Sequence, residues 1–168
     1  PRYMEEAAFI EMGIEMKEDN QVEIYDNLVE ELLEKPCYVI DFLPEQVKPE
    51  AGGQFFDVEY YLLNSDKRFS LKDKFVNVIL KLMCYYHVSI QWKGWIDSPS
   101  PQTVEEAIST IMDNHSGWLN VLLPKENALV VFEWDCLNLS IYNPSEKIQL
   151  LMQKISASEG LSFWKPDR

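Results

Sequence analysis

Three short apolar runs crowded into residues 117–142 constrain this chain most. Gly117–Leu123, Leu129–Asp135 and Leu137–Tyr142 each have the length and the β-branched or aromatic content of a strand. Only Pro124–Ala128 and a tight corner near Cys136 separate them. Connections that short cannot cross over a sheet, so the three runs predict an antiparallel meander.

The flanking segments alternate between extended and helical patterns. Ile10, Met12, Ile14 and Met16 alternate with Glu11, Gly13 and Glu15, the period of a half-buried strand. Asn20, three residues before Glu23, marks a helix start; Tyr25, Leu28, Val29, Leu32 and Leu33 then recur at helical spacing until Pro36. Cys37–Leu43 reads as a strand that runs into a loop over Pro44–Gly53. Phe55–Leu63 fits either a strand or a helix face, and we read it as a helix.

Ser70 and Asp73 resemble a capping box that opens the most apolar helix, Leu71–Tyr86. Its apolar residues cover nearly the whole circumference, which predicts the central helix of the core. His87–Trp95 reads as one strand and Asp97–Pro101 as a turn. Thr103 and Glu106 then cap a helix over residues 104–115, stopped by Gly117. Pro144 and Ser145 open a last helix that carries Ile148, Leu151, Met152 and Ile155, and Leu161–Trp164 returns as a short strand. No internal repeat and no Gly/Ser-rich linker divides the 168 residues, so residues 1–168 read as one α+β domain: the meander, flanking helices and the central apolar helix.

Charge separates the possible partners. The chain carries 28 acidic and 15 basic residues, a net charge of −13. Residues 1–63 alone hold 16 acids and 4 bases, whereas residues 64–97 carry a small basic excess around Lys67, Arg68, Lys72 and Lys74. A nucleic-acid surface needs clustered cations to neutralise phosphates, so no nucleic-acid partner is expected. Such a field suits a basic protein; it also serves solubility. No apolar run approaches the roughly 20 residues of a membrane span, and no signal-type segment opens the chain, where Glu5, Glu6, Glu11 and Glu15 crowd the apolar residues.

Cys37, Cys84 and Cys136 are an odd number without CxxC or Cys/His ligand spacing, which fits a reducing, cytoplasmic compartment. Cys37 and Cys84 sit in apolar patterns and read as small buried hydrophobes. The two histidines, His87 and His115, lie in no nucleophile context; His115 reads as a helix C-cap and His87 as part of a packed corner. Phosphate-binding loops and the H-E-x-x-H metal motif are missing, and no cofactor is implied. If residues 129–135 form one strand, Glu133 and Asp135 share a face opposite Val130, Phe132 and Trp134. Such a pair would hold a divalent metal for hydrolysis, with Asn120 or Asn138 adding oxygens; it equally describes the solvated outer face of a sheet. Gln91-Trp92-Lys93 loosely resembles the end of a metal-dependent nuclease strand, but no partner aspartate supports it.

The preferred functional surface is the helix over residues 20–35. Glu23, Asp26, Glu30, Glu31 and Glu34 fall mainly on its outer side, and Trp95, which breaks the parity of Val88, Ile90 and Trp92, is expected to stand exposed as an anchor. The expected function is non-catalytic binding of a basic macromolecular partner. One concrete form is an inhibitor or immunity-type protein that neutralises a toxin such as a nuclease. The alternatives are the Glu133/Asp135 metal-assisted hydrolase and a regulatory or structural subunit of a homo-oligomer.

Overall fold

The computed structural model describes residues 19–135 and 137–167. The strand expected at Ile10–Met16 and the corner residue Cys136 lie outside the described residues. In chain order, helix α1 covers residues 19–32. It is followed by β1 (Cys37–Asp41), a 3-10 turn at Pro49–Ala51, α2 (Phe55–Leu63) and α3 (Lys67–Met83). Then come β2 (Ser89–Gln91), β3 (Trp95–Asp97), α4 (Pro101–Asn114), β4 (Trp118–Leu123), β5 (Ala128–Glu133) and β6 (Asn138–Tyr142). Helix α5 (Glu146–Ser158) and β7 (Ser162–Trp164) complete the fold.

The expected meander forms the middle of one open, fully antiparallel sheet of seven strands, in the order β3-β2-β4-β5-β6-β1-β7. Both edge strands are three residues long, which leaves little unpaired backbone for another chain to join. Period 2 gives the sheet two unlike faces. Ile40, Ile90, Leu119, Val121, Val130, Phe132, Leu139 and Ile141 point to the larger core, against Phe75, Ile79 and Leu82 of α3 and the inner stripes of α4 and α5. The Phe75 and Phe132 rings meet there, 6.1 Å between centroids. Each such fully buried side chain contributes about 1.5–3 kcal/mol. Leu122, Leu129 and Val131 point the other way, to Val29 and Leu32 of α1. That second face is therefore not the solvated surface its polar residues allow; α1 covers part of it.

Several local expectations are corrected. His87–Trp95 is not one strand but a hairpin: Lys93 (φ 55°) and Gly94 (φ 102°) turn the chain between β2 and β3, and Trp92 N–H donates to Gly94 O at 2.9 Å. Lys93 thus leaves the strand face it would share with Gln91 and lies over the Trp92 ring. The central helix runs over Lys67–Met83 rather than Leu71–Tyr86; it begins before Ser70, so Ser65 Oγ, not the expected capping box, accepts at its start, from Lys67 N–H. Cys84, just past its end, is exposed rather than buried. Asn20 is already helical, and α1 stops at residue 32. Ser100, with Pro101 at the first helical position, caps α4 by accepting from Thr103 N–H, so Thr103 is the capped residue and not the cap. His115 closes that helix in the left-handed region (φ 50°), as expected, and its ring meets Trp134 edge-on. Among the described residues no helix is long and apolar enough to cross a membrane.

Candidate functional site

The acidic helix docks through a polar clasp as well as through its apolar stripe. Tyr25, Leu28, Val29 and Leu32 lie on the sheet, and Asp26 flanks that stripe, three residues before Val29. Its Oδ1 accepts from Trp95 Nε1–H at 2.8 Å and from Gln91 Nε2–H at 3.3 Å. Gln91 Oε1 in turn accepts from Asn120 Nδ2–H at 2.9 Å, and Asn120 is buried. Carboxylate, two amides and an indole thus form one directed chain across α1, β2, β3 and β4, and each amide is oriented by its neighbour.

Two of the residues nominated from the sequence, Asp26 and Trp95, therefore meet each other. Trp95 is half-buried, contrary to expectation, because its N–H is bound to Asp26 and its ring packs edge-on against Tyr25 at 5.1 Å. Glu23, Glu30, Glu31 and Glu34 are exposed, as the helical spacing implies. The open tryptophan is Trp118, which is 61% exposed. Sequence reasoning passed over it, although its position at the start of β4, in phase with Asn120 and Leu122, puts it on the α1 face at the sheet's rim.

A cleft of about 520 Å³ lies between α1 and the sheet. Asp26, Val29 and Glu30 of α1, with Leu33 just past its end, form one wall; Gln91, Trp118, Asn120, Val131 and Glu133 form the sheet side. Carboxylates beside an indole face suit a cation, which gains Coulomb attraction from the acids and quadrupole attraction from the ring. Further along this face the Tyr142 phenol is pushed up to about 12, first by burial and then by the neighbouring Cys37. Burial likewise raises the Cys37 thiol, against hydrogen bonds from Ser140 and Tyr142.

The carboxylate pair and the histidines weighed for bond chemistry lie apart among the described residues. β5 ends at Glu133 and Asp135 falls in the turn, so the two do not share a strand face. Among the described residues no group of three His, Cys, Asp or Glu side chains is arranged to hold a metal ion. His87 is exposed rather than packed; its Nε2 lies 2.9 Å from Asp97 Oδ1, and Ser89 Oγ donates to the same oxygen. The acid stands between hydroxyl and imidazole there, the wrong order for activating a serine. No known protein family, curated protein or solved structure matches this chain.

Proposed function

We propose that the protein is non-catalytic and binds a basic protein partner through the outer side of α1 and the cleft beneath it. One observation carries this reading. The described helix holds Asp19, Glu23, Asp26, Glu30 and Glu31 without a single base, and none of these acids is ion-paired to a cation among the described residues. Acids spaced four apart, such as Asp19–Glu23 and Asp26–Glu30, cost a helix a few tenths of a kcal/mol per pair. A basic partner relieves that repulsion, and the field of the stripe speeds its encounter. In the concrete form we favour, an inhibitor or immunity-type protein, these carboxylates occupy positions on a toxin, such as a nuclease, where substrate phosphates would otherwise sit. We place the protein in a reducing, cytoplasmic setting, a reading supported by the free thiols of Cys37 and Cys84.

The test replaces Glu23, Glu30, Glu31 and Glu34 together by Gln and compares partner capture from native lysate at low and at roughly physiological salt. The native protein retains a basic protein whose recovery falls as salt rises, and the variant loses it. Equal capture by the variant, or recovery that ignores ionic strength, sinks the reading.

A further inference from the structure

Helix α2 buries none of its residues, yet it is rich in aromatics. Phe56 and Tyr60, one turn apart, are 80% and 71% exposed. Beside Phe56 opens a cavity of about 480 Å³, within the roughly 300–1,000 Å³ of ordinary ligand pockets. Phe55, Phe56 and Trp164 give it aromatic walls, and the 43–53 loop forms its rim. Asp41, at the end of β1, also lines it, although that residue is only 7% exposed. Asp41 Oδ1 accepts from Leu43 N–H at 3.1 Å, and no cation among the described residues pairs with it. Burial holds its carboxyl above the usual range, and Glu59 of α2 is raised by burial and by the fields of Asp135 and Asp41. Of the charged residues in 41–59, Asp41 and Lys48 line the cavity, while Glu45, Glu50, Asp57 and Glu59 lie outside its lining.

Lys48 forms no ion pair with Asp41 among the described residues, so a nearly enclosed carboxylate with aromatic walls still lacks a flat cation. We propose that this cavity receives an arginine side chain of the basic protein partner, its guanidinium meeting Asp41 and stacking on the aromatic walls, with Phe56 and Tyr60 as the docking rim. Arginine fits better than lysine because its planar head satisfies a carboxylate and an aromatic face together. The inference rests on the reading that the partner is a basic protein, and adds a second contact on the same side of the sheet. Asp41, Val39 and Cys37 share one strand face, and Cys37 registers with Tyr142, which lies under α1. Trp164 registers with Val39, so it too points that way.

The test uses N-acetyl-arginine amide as probe and N-acetyl-citrulline amide as its uncharged counterpart, read by NMR at the Trp164 indole N–H, which donates to Leu43 O at 3.2 Å. The arginine amide produces saturable shifts there and the citrulline amide does not. D41N keeps an acceptor for Leu43 N–H and abolishes the shifts. F56A, at an exposed position that leaves the fold intact, weakens binding roughly two- to fivefold through the lost ring. Absence of saturable shifts, equal response to citrulline, or full binding by D41N overturns the assignment. If D41N and F56A still capture the basic partner while the α1 quadruple variant does not, this pocket is overturned and the α1 reading stands. Arginine-specific shifts without any retained basic partner support the pocket and remove the α1 reading.

Discussion

Asp26→Ala is the most informative single change, because it removes an acid from the acidic helix without removing an acid from its outer surface. One oxygen, Asp26 Oδ1, accepts from Trp95 and from Gln91. The 2.8 Å indole bond is within the normal range, whereas the 3.3 Å amide bond is long and contributes less. A hydrogen bond to a charged acceptor contributes about 1.5–3 kcal/mol. Both Asp26 and Trp95 are half-buried, so water re-satisfies part of what is lost, and the lower end, about 1.5–2 kcal/mol, is expected for Asp26→Ala. Asp26→Asn keeps an acceptor but not the charge, and neutral bonds are about half as strong, so it loses roughly half as much.

The cause is isolated by a double-mutant cycle with Trp95→Phe, which retains a ring against Tyr25 but has no N–H to donate. Unfolding in urea is followed by far-UV circular dichroism, since Trp95 itself contributes to fluorescence. The two changes couple by about 1–1.5 kcal/mol with unchanged denaturant slopes. Coupling below about 0.3 kcal/mol, within ordinary non-additivity, refutes the clasp, as does an Asn variant as unstable as the Ala variant. The quadruple Gln variant of the exposed glutamates behaves in the opposite way: it loses partner binding at unchanged or slightly raised stability.

Two further outcomes follow from burial. Asp41 and Glu59 hold their protons above the ordinary values of 3.8 and 4.5, so the native state binds more protons than the unfolded chain just above those values. Their contribution is greatest below the ordinary values and is lost as pH rises through the raised ones. D41N is therefore more stable than the native sequence in urea at pH 7, and the two converge below about pH 3.8; a difference that ignores pH contradicts this. In a C136S background, Cys84, which is exposed, reacts with a disulfide reagent at the rate of a free thiol. Cys37 reacts in a separate, slower phase because burial raises its thiol, and a single phase for both contradicts that placement.

What the sequence disclosed was what depends on neighbours along the chain. Period 2 and short connections defined β4, β5 and β6, and the 3–4 spacing of Tyr25, Leu28, Val29 and Leu32 marked the inner stripe of α1. The hairpin at Trp92–Gly94 was hidden because Val88, Ile90 and Trp92 keep parity straight into it; Gly94 was its one residue-type signal, since the left-handed residue before it is a lysine, a type rare in that region. That turn decides the site. With β3 folded back along β2, Trp95 stands opposite Gln91 in the ladder, where both reach Asp26. Read as one strand, the same Trp95 had no such neighbour and looked like an exposed anchor. The burial of Asp41 was equally illegible in CYVIDFL, since its surroundings come from the 43–53 loop, α2, Asn138 and Trp164, up to 123 positions away. Long-range packing, not local propensity, set both outcomes.

The two aspartates show why residue type alone does not assign a role. Asp26 is surrounded by donors, the Trp95 indole and the Gln91 amide, so its charge is satisfied inside the fold and its removal destabilises. Asp41 is the more buried of the two and has a backbone N–H from Leu43, but burial strips its carboxylate of water by more than that bond returns, so its ionised form works against the fold. A sheet face selected for stability alone would carry an apolar residue or an amide at position 41. The two aspartates are therefore expected to differ in sign, removal of Asp26 destabilising and neutralisation of Asp41 stabilising, and that difference is what the proposed binding role of Asp41 and the structural role of Asp26 require.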